Sequence, residues 1–156
     1  MPRRRPGALR AVQHGPRAGE FPPPERIHGL SARTSLAVHR VERLSADYYV
    51  HPGATDRALR RYRGFLEPPG RRPLYPQDAE CSCRGCSFDD VRHARDVLDL
   101  VLEQLPARPR AELARRVAAL DTVYLKRTLP DPFADRRHWS ADLWWHRRLA
   151  GGREGG

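Results

Sequence analysis

The sequence predicts an all-α fold, and three observations carry that reading. Apolar residues recur at three- and four-residue spacing in four separate stretches, the repeat of one helix face. Prolines and glycines gather between those stretches. No segment alternates convincingly with the period of two that a strand needs, and there is no internal repeat. The architecture expected is a small helical domain built on an antiparallel helical hairpin. A metal-knuckle loop precedes its central helix, and a disordered basic arm precedes the whole.

Residues 1–33 are that arm. They hold six of the fifteen prolines and seven arginines against two glutamates. So few apolar residues cannot offset the entropy of ordering a backbone. From Thr34 the pattern turns helical, with Val38, Val41, Leu44 and Tyr48 on one stripe that His51-Pro52-Gly53 ends. A second helix is expected from about Asp56 to Leu66, capped by Thr55 or Asp56. Leu59, Tyr62, Phe65 and Leu66 form its buried side, and Arg57, Arg60, Arg61 and Arg63 spread over the other. Residues 67–80 carry four more prolines and read as an irregular connector into a cysteine loop, residues 78–87.

The strongest helix signal follows. Ser87 with Asp90 makes a variant capping box, and Phe88, Val91, Ala94, Val97, Leu98, Val101, Leu102 and Leu105 cover about half the circumference. Pro106-Ala107-Arg108-Pro109 breaks this central helix, and Pro109 suits the first turn of the next. There Leu113, Val117, Leu120 and Tyr124 form a narrow stripe, and Glu112 is placed to pair with Arg116. The short loop between the two makes residues 88–127 the hairpin. Pro130 and Pro132 end it, Ser140 caps a last short helix over 140–149, and residues 151–156 form a flexible glycine-rich tail. Residues 34–150 are thus read as one domain.

All three cysteines fall within six positions, in Cys81-Ser82-Cys83-Arg84-Gly85-Cys86, and His93 follows seven residues later. Cys83 and Cys86 have the spacing that lets two thiolates reach one tetrahedral ion, Gly85 allows a tight turn, and Cys81 adds a third sulfur. At the start of the central helix, beside Arg84, Cys86 is expected to favour the thiolate. Soft donors point to zinc, and three cysteines argue against an iron–sulfur cluster, which wants four. His93 is chosen as fourth ligand because it is the local imidazole, although two helical turns, about 10 Å, separate it from Cys86. It is reached more easily if Cys86 folds back or if Cys81 and Cys83 meet it. Asp90, His51, His138 and His146 stay open as alternatives, and His93 at the edge of the apolar face needs no metal at all. The knuckle resembles small zinc-binding modules in local geometry alone, and no function carries over from that likeness.

The balance of 29 basic and 19 acidic residues gives a formal net charge of +10, which favours polyanions: DNA, RNA or an acidic protein surface. Lys126 is the single lysine, so 28 of the 29 are arginines, a choice that a GC-rich genome also produces. In Arg136-Arg137-His138-Trp139 and Trp144-Trp145-His146-Arg147-Arg148, rings alternate with guanidinium groups, a mixture that suits single-stranded nucleic acid. Against this, large rings are mostly buried, and the three tryptophans equally complete a small core. Expected partner contacts are therefore Arg57, Arg60, Arg61, Arg63, Arg136, Arg137, Trp144, Trp145, Arg147 and Arg148.

Phosphate-binding, dinucleotide-binding, zinc-protease and nucleophile-elbow motifs are absent, so a non-enzymatic protein is expected. No apolar run approaches the roughly 18 residues of a membrane span, and no secretory signal opens the chain. Cytoplasmic localisation is the expectation, and an odd cysteine count agrees with it. The reading is a small intracellular zinc-binding protein that docks nucleic acid or another anionic partner. The alternatives are a protein–protein adaptor or a thiol redox protein using Cys83 and Cys86.

Overall fold

A computed structural model describes residues 25–152. Among the described residues there are four α-helices and three short 3-10 turns, and no strand. The helices are α1 (Ala32–Leu44), α2 (Ala54–Leu66), α3 (Val91–Gln104) and α4 (Ala107–Arg127); the 3-10 turns are Cys86–Asp89, Ala134–Arg136 and Ala141–Arg147. The fold is all-α, as the periodicity requires.

At the centre is α3, which buries Val91, Ala94, Val97, Leu98 and Val101 and packs on α1, α2 and α4. Each buried valine or leucine among them contributes about 1.5–3 kcal/mol. Two residues, Leu105 and Pro106, separate α3 from α4, and the two helices pack together, consistent with the expected hairpin. Two arginines also lie on the buried side of α3. Arg92 pairs with Asp90 and Asp78, and Arg95 pairs with Asp121 and Asp99. Tyr62 of α2 donates to the same Asp121 at 2.7 Å, so one carboxylate of α4 ties three helices together.

Carboxylates from other helices close two helix starts, and here the structure departs from local expectation. Glu112 of α4 turns from Arg116 to α1, accepting from Ser31 N (2.6 Å), Ser31 Oγ (2.8 Å) and the Thr34 hydroxyl. Glu42 of α1, 2% exposed, accepts from Gly53 N (3.0 Å) and Thr55 N (2.8 Å) at the start of α2. The N-cap of α2 is therefore Gly53, whose φ of 87° suits glycine, and neither Thr55 nor Asp56 caps the helix. A carboxylate from elsewhere satisfies the free N–H groups better than a local hydroxyl does.

Residues 25–33, assigned to the arm from sequence, are ordered. Ile27 and Leu30 are 2% and 1% exposed, and Ser31 caps α1 through its side chain, so α1 begins two residues before Thr34. Those two apolar residues anchor the segment, a local effect that averaging over 33 residues hides. The rest of the arm, 1–24, lies outside the described residues, as do 153–156 of the tail. At its inner end the tail is held, with Gly151 N donating to Pro76 O at 2.8 Å.

Two stripes shift. α1 ends at Leu44 because Ser45 and Asp47 capture the backbone N–H groups of Asp47 and Tyr49. Tyr48 consequently leaves the helix and is exposed, as is Leu44, while Thr34, Ser35, Val38 and Glu42 are buried. The last helix is a 3-10 turn that kinks at Leu143 and stops at Arg147. Beyond it the chain pairs in extended form, with Leu149 N donating to Leu129 O at 2.8 Å and a bridge between Pro130 and Arg148. No helix among the described residues is long and apolar enough to cross a membrane.

Candidate metal centre

The cysteine loop leads directly into the Cys86–Asp89 turn. Cys83 organises it: its carbonyl accepts from Ser87 N (3.0 Å) and Ser87 Oγ (2.6 Å), and its sulfur accepts from Cys86 N (3.2 Å). Folding back in this way brings the three sulfurs within 4.8 Å of one another, with Cys81 Sγ 3.2 Å from Cys83 Sγ. Sulfurs bound to one tetrahedral zinc at about 2.3 Å stand about 3.8 Å apart, so small side-chain shifts let all three share an ion. All three cysteines are free thiols; Cys81 and Cys83 are exposed and Cys86 is partly so. The cluster can hold a metal ion.

Ser87 therefore spends its hydroxyl inside the loop instead of forming a capping box. Asp90 alone caps α3, which starts at Val91 and not at Phe88. Gly85 has φ −82°, a conformation open to any residue, so the turn does not depend on glycine.

The favoured thiolate is Cys83, not Cys86. The Cys86 N–H, then the thiols of Cys81 and Cys86, donate to Cys83 and pull its pKa down to about 7. Cys86, which donates toward Cys81 and Cys83 and sits beside their charge, is pushed up to about 12. The helix-start argument fails because Cys86 opens a four-residue 3-10 turn, separated from α3 by Asp90.

The rest of the protein holds this loop firmly. Tyr49 donates to Ser82 O (3.0 Å), Arg57 to Gly85 O (3.0 Å), Arg61 to Asp89 O (2.5 Å), and Arg84 reaches back to Tyr48 O (2.7 Å). Phe88, 2% exposed, plugs the loop into the core, with the Arg57 guanidinium 4.9 Å from its ring centre. The sequence reading did not foresee Tyr49 or the two loop-directed arginines. The four-residue spacing of Arg57 and Arg61 on α2 was the available signal.

His93 does not join the thiols. Its ring stands edge-on to Tyr49 and Phe88 at 4.5 and 5.2 Å. Burial is the main cause that lowers its pKa, against the pull of Asp96 and Asp90, and its Nε2 is buried without a partner. Asp90 is committed too, accepting from Arg92 N (2.8 Å) and from the Arg92 side chain with both oxygens. His51 lies 6.5 Å from Phe88, His138 packs on Trp139, and His146 is bound to Asp96.

The expected partner contacts are scattered and mostly engaged internally. Arg60 pairs with Asp56, and Arg63 donates to His28 at 2.9 Å. Arg136 lies over Phe133, Arg137 pairs with Asp131, Arg147 with Asp135, and Arg148 bonds Thr128. Trp145 is 3% exposed and donates to Asp96 Oδ1 at 2.7 Å, while His146 meets the same carboxylate at 2.7 Å and stacks on Trp139. Trp144 is half-buried against Tyr124. Trp145 and Trp144 thus join or cover the core, as the second of the two sequence readings has it, while Trp139 stays half-buried on His146 outside that core.

Fold and site together define a small helical protein with a three-cysteine cluster on an arginine-braced loop. Comparison with protein-family models, curated proteins and solved structures returns no match.

Proposed function

We propose that this protein is a non-enzymatic zinc-binding protein whose basic surface docks nucleic acid or a similar polyanion. The observation that carries the metal reading is the convergence of three thiol sulfurs within 4.8 Å on a loop that Tyr49, Arg57, Arg61 and Arg84 hold in place. Zinc is preferred because thiolates are soft donors and because Cys83 gives up its proton near pH 7. Cys81, Cys83 and Cys86 form the ligand set; His93, the fourth ligand expected from sequence, stays outside their group. Support for the anionic partner comes from the net charge of +10. Native mass spectrometry of the full chain under reducing conditions tests the metal reading. One zinc per chain is expected, lost in Cys83→Ser; a metal-free folded protein would overturn it. Binding of single-stranded DNA should weaken steeply between low and physiological salt as phosphate contacts displace counterions, and a flat response would sink the polyanion reading.

One observation favours a second reading, a protein-docking role. Leu36 and Leu44, 55% and 69% exposed, adjoin Val41 and Pro106 in a groove of about 460 Å³. That reading predicts a stoichiometric protein partner that survives nuclease and high salt.

A further inference from the structure

Resting on the zinc reading, we propose that the three thiolates hold the ion with one coordination position facing solvent, and that a small exogenous thiol fills it. Zinc in a closed structural site takes four ligands, whereas an open site keeps three from the protein. Among the described residues no imidazole or carboxylate joins the thiol group. Glu80 and Asp89 lie nearer along the chain but stay outside the thiol group, and the two donors weighed from sequence, Asp90 and His93, are already held. Asp90 spends both oxygens on Arg92, which is itself buried and paired with Asp78. His93 is wedged between Tyr49 and Phe88, so bringing its ring to the sulfurs means prising Phe88 from the core. Cys81 and Cys83, by contrast, face solvent.

Charge and softness select the incoming ligand. Three thiolates and a divalent ion leave a net charge of minus one, which by itself repels a further anion. The guanidinium groups of Arg57, Arg61 and Arg84 border the loop and offset that repulsion. A thiolate then displaces water at the ion: the thiol loses its proton to solvent, one zinc–sulfur bond forms, one zinc–oxygen bond breaks, and no electron is transferred. The centre so described is a docking point for a low-molecular-weight thiol.

X-ray absorption spectroscopy of the zinc-loaded full chain, with and without glutathione, tests the proposal. Three sulfurs and one oxygen are expected without glutathione and four sulfurs with it. Native mass spectrometry should then show a species heavier by one zinc plus one glutathione. Imidazole scattering that persists in glutathione would overturn the proposal while leaving the zinc reading intact; this arm also covers His14, which lies outside the described residues. A first shell that still holds three sulfurs and one oxygen at saturating glutathione overturns it as well. Failure to bind zinc at all would defeat the underlying reading and this inference with it. His93→Ala should leave the first shell unchanged, and the wild-type spectra decide the matter if that variant fails to fold.

Discussion

Glu42 offers the sharpest test of how this fold is held. Its carboxylate is almost wholly buried yet has no arginine or lysine partner among the described residues; it accepts the N–H groups of Gly53 and Thr55, with His39 Nδ1 3.5 Å away. Glu42→Ala removes both acceptors from the positive end of α2. Thr55 is 0% exposed, so its N–H has no water to turn to, at a cost of about 1–3 kcal/mol. Gly53 is exposed and can bond solvent, so its loss is smaller. Removing a negative charge from a helix start adds about 0.3–1 kcal/mol. The expected total is about 2–4 kcal/mol, a large share of the 5–15 kcal/mol typical of a domain. Glu42→Gln keeps one carbonyl oxygen for Thr55 and presents an amide donor to Gly53, so its cost should fall at about half that of alanine. Urea unfolding followed by circular dichroism gives both numbers at constant m. A Glu42→Ala cost below about 1 kcal/mol would refute the reasoning, since it would mean that water or a rearranged α2 replaces the carboxylate freely.

Three other outcomes follow from the same contacts. Asp96→Ala should destabilise the protein by about 2–4 kcal/mol and shift tryptophan emission, because it strips the partner from both Trp145 Nε1 and His146 Nε2; unchanged urea unfolding would contradict this. Glu112 has a pKa lowered chiefly by the Thr34 hydroxyl and then by Ser31, so the stability it adds is present above the ordinary glutamate value of 4.5 and is lost as pH falls through the lower folded value. Melting temperature should therefore fall more steeply in acid for the wild type than for Glu112→Gln. In metal-free protein, iodoacetamide should modify Cys83 first, with a rate that rises through pH about 7 and then levels, while Cys86, held up at about 12, lags. Peptide mapping that finds Cys86 alkylated first would contradict the thiol assignment.

What the sequence made legible was whatever depends on neighbours along the chain. Periodicity in Val91 through Val101 located the central helix, and the crowding of three cysteines located the site. Three of its misses concern polar side chains. Glu112 was matched to Arg116 four residues away but serves α1, 81 residues off at Ser31. The start of α2 was assigned to Thr55 or Asp56, and the acceptor there is Glu42 of α1, which the sequence did not single out. Ser87 looked like half of a capping box but closes the cysteine loop instead. For Glu112 and for the start of α2 a partner from another helix displaced the local one, and for Ser87 a loop carbonyl four residues back displaced the helix cap. Spacing cannot rank those competitors, because their order is set by burial.

The same competition bears on where a polyanion would bind. Of the arginines expected to contact it, Arg57 and Arg61 hold the cysteine loop, and Arg148 anchors the chain end at Thr128. Arg33, Arg40 and Arg43 are different. They are exposed, they have no hydrogen-bond or ion-pair partner among the described residues, and at 100° per residue they fall within about 80° on one side of α1. Leu36 and Leu44 share that side. A cation without an internal partner gives up nothing when it meets a phosphate, whereas Arg57 or Arg61 would have to share or release a carbonyl. If nucleic acid binds the described domain, replacing Arg33, Arg40 and Arg43 together with alanine should lower the slope of log affinity against log salt by about 2 for single-stranded DNA. The cysteine loop, braced by other residues, should keep its zinc. A triple variant with an undiminished slope would move the binding site away from α1, and an undiminished slope with lost zinc would show that this face supports the metal loop instead.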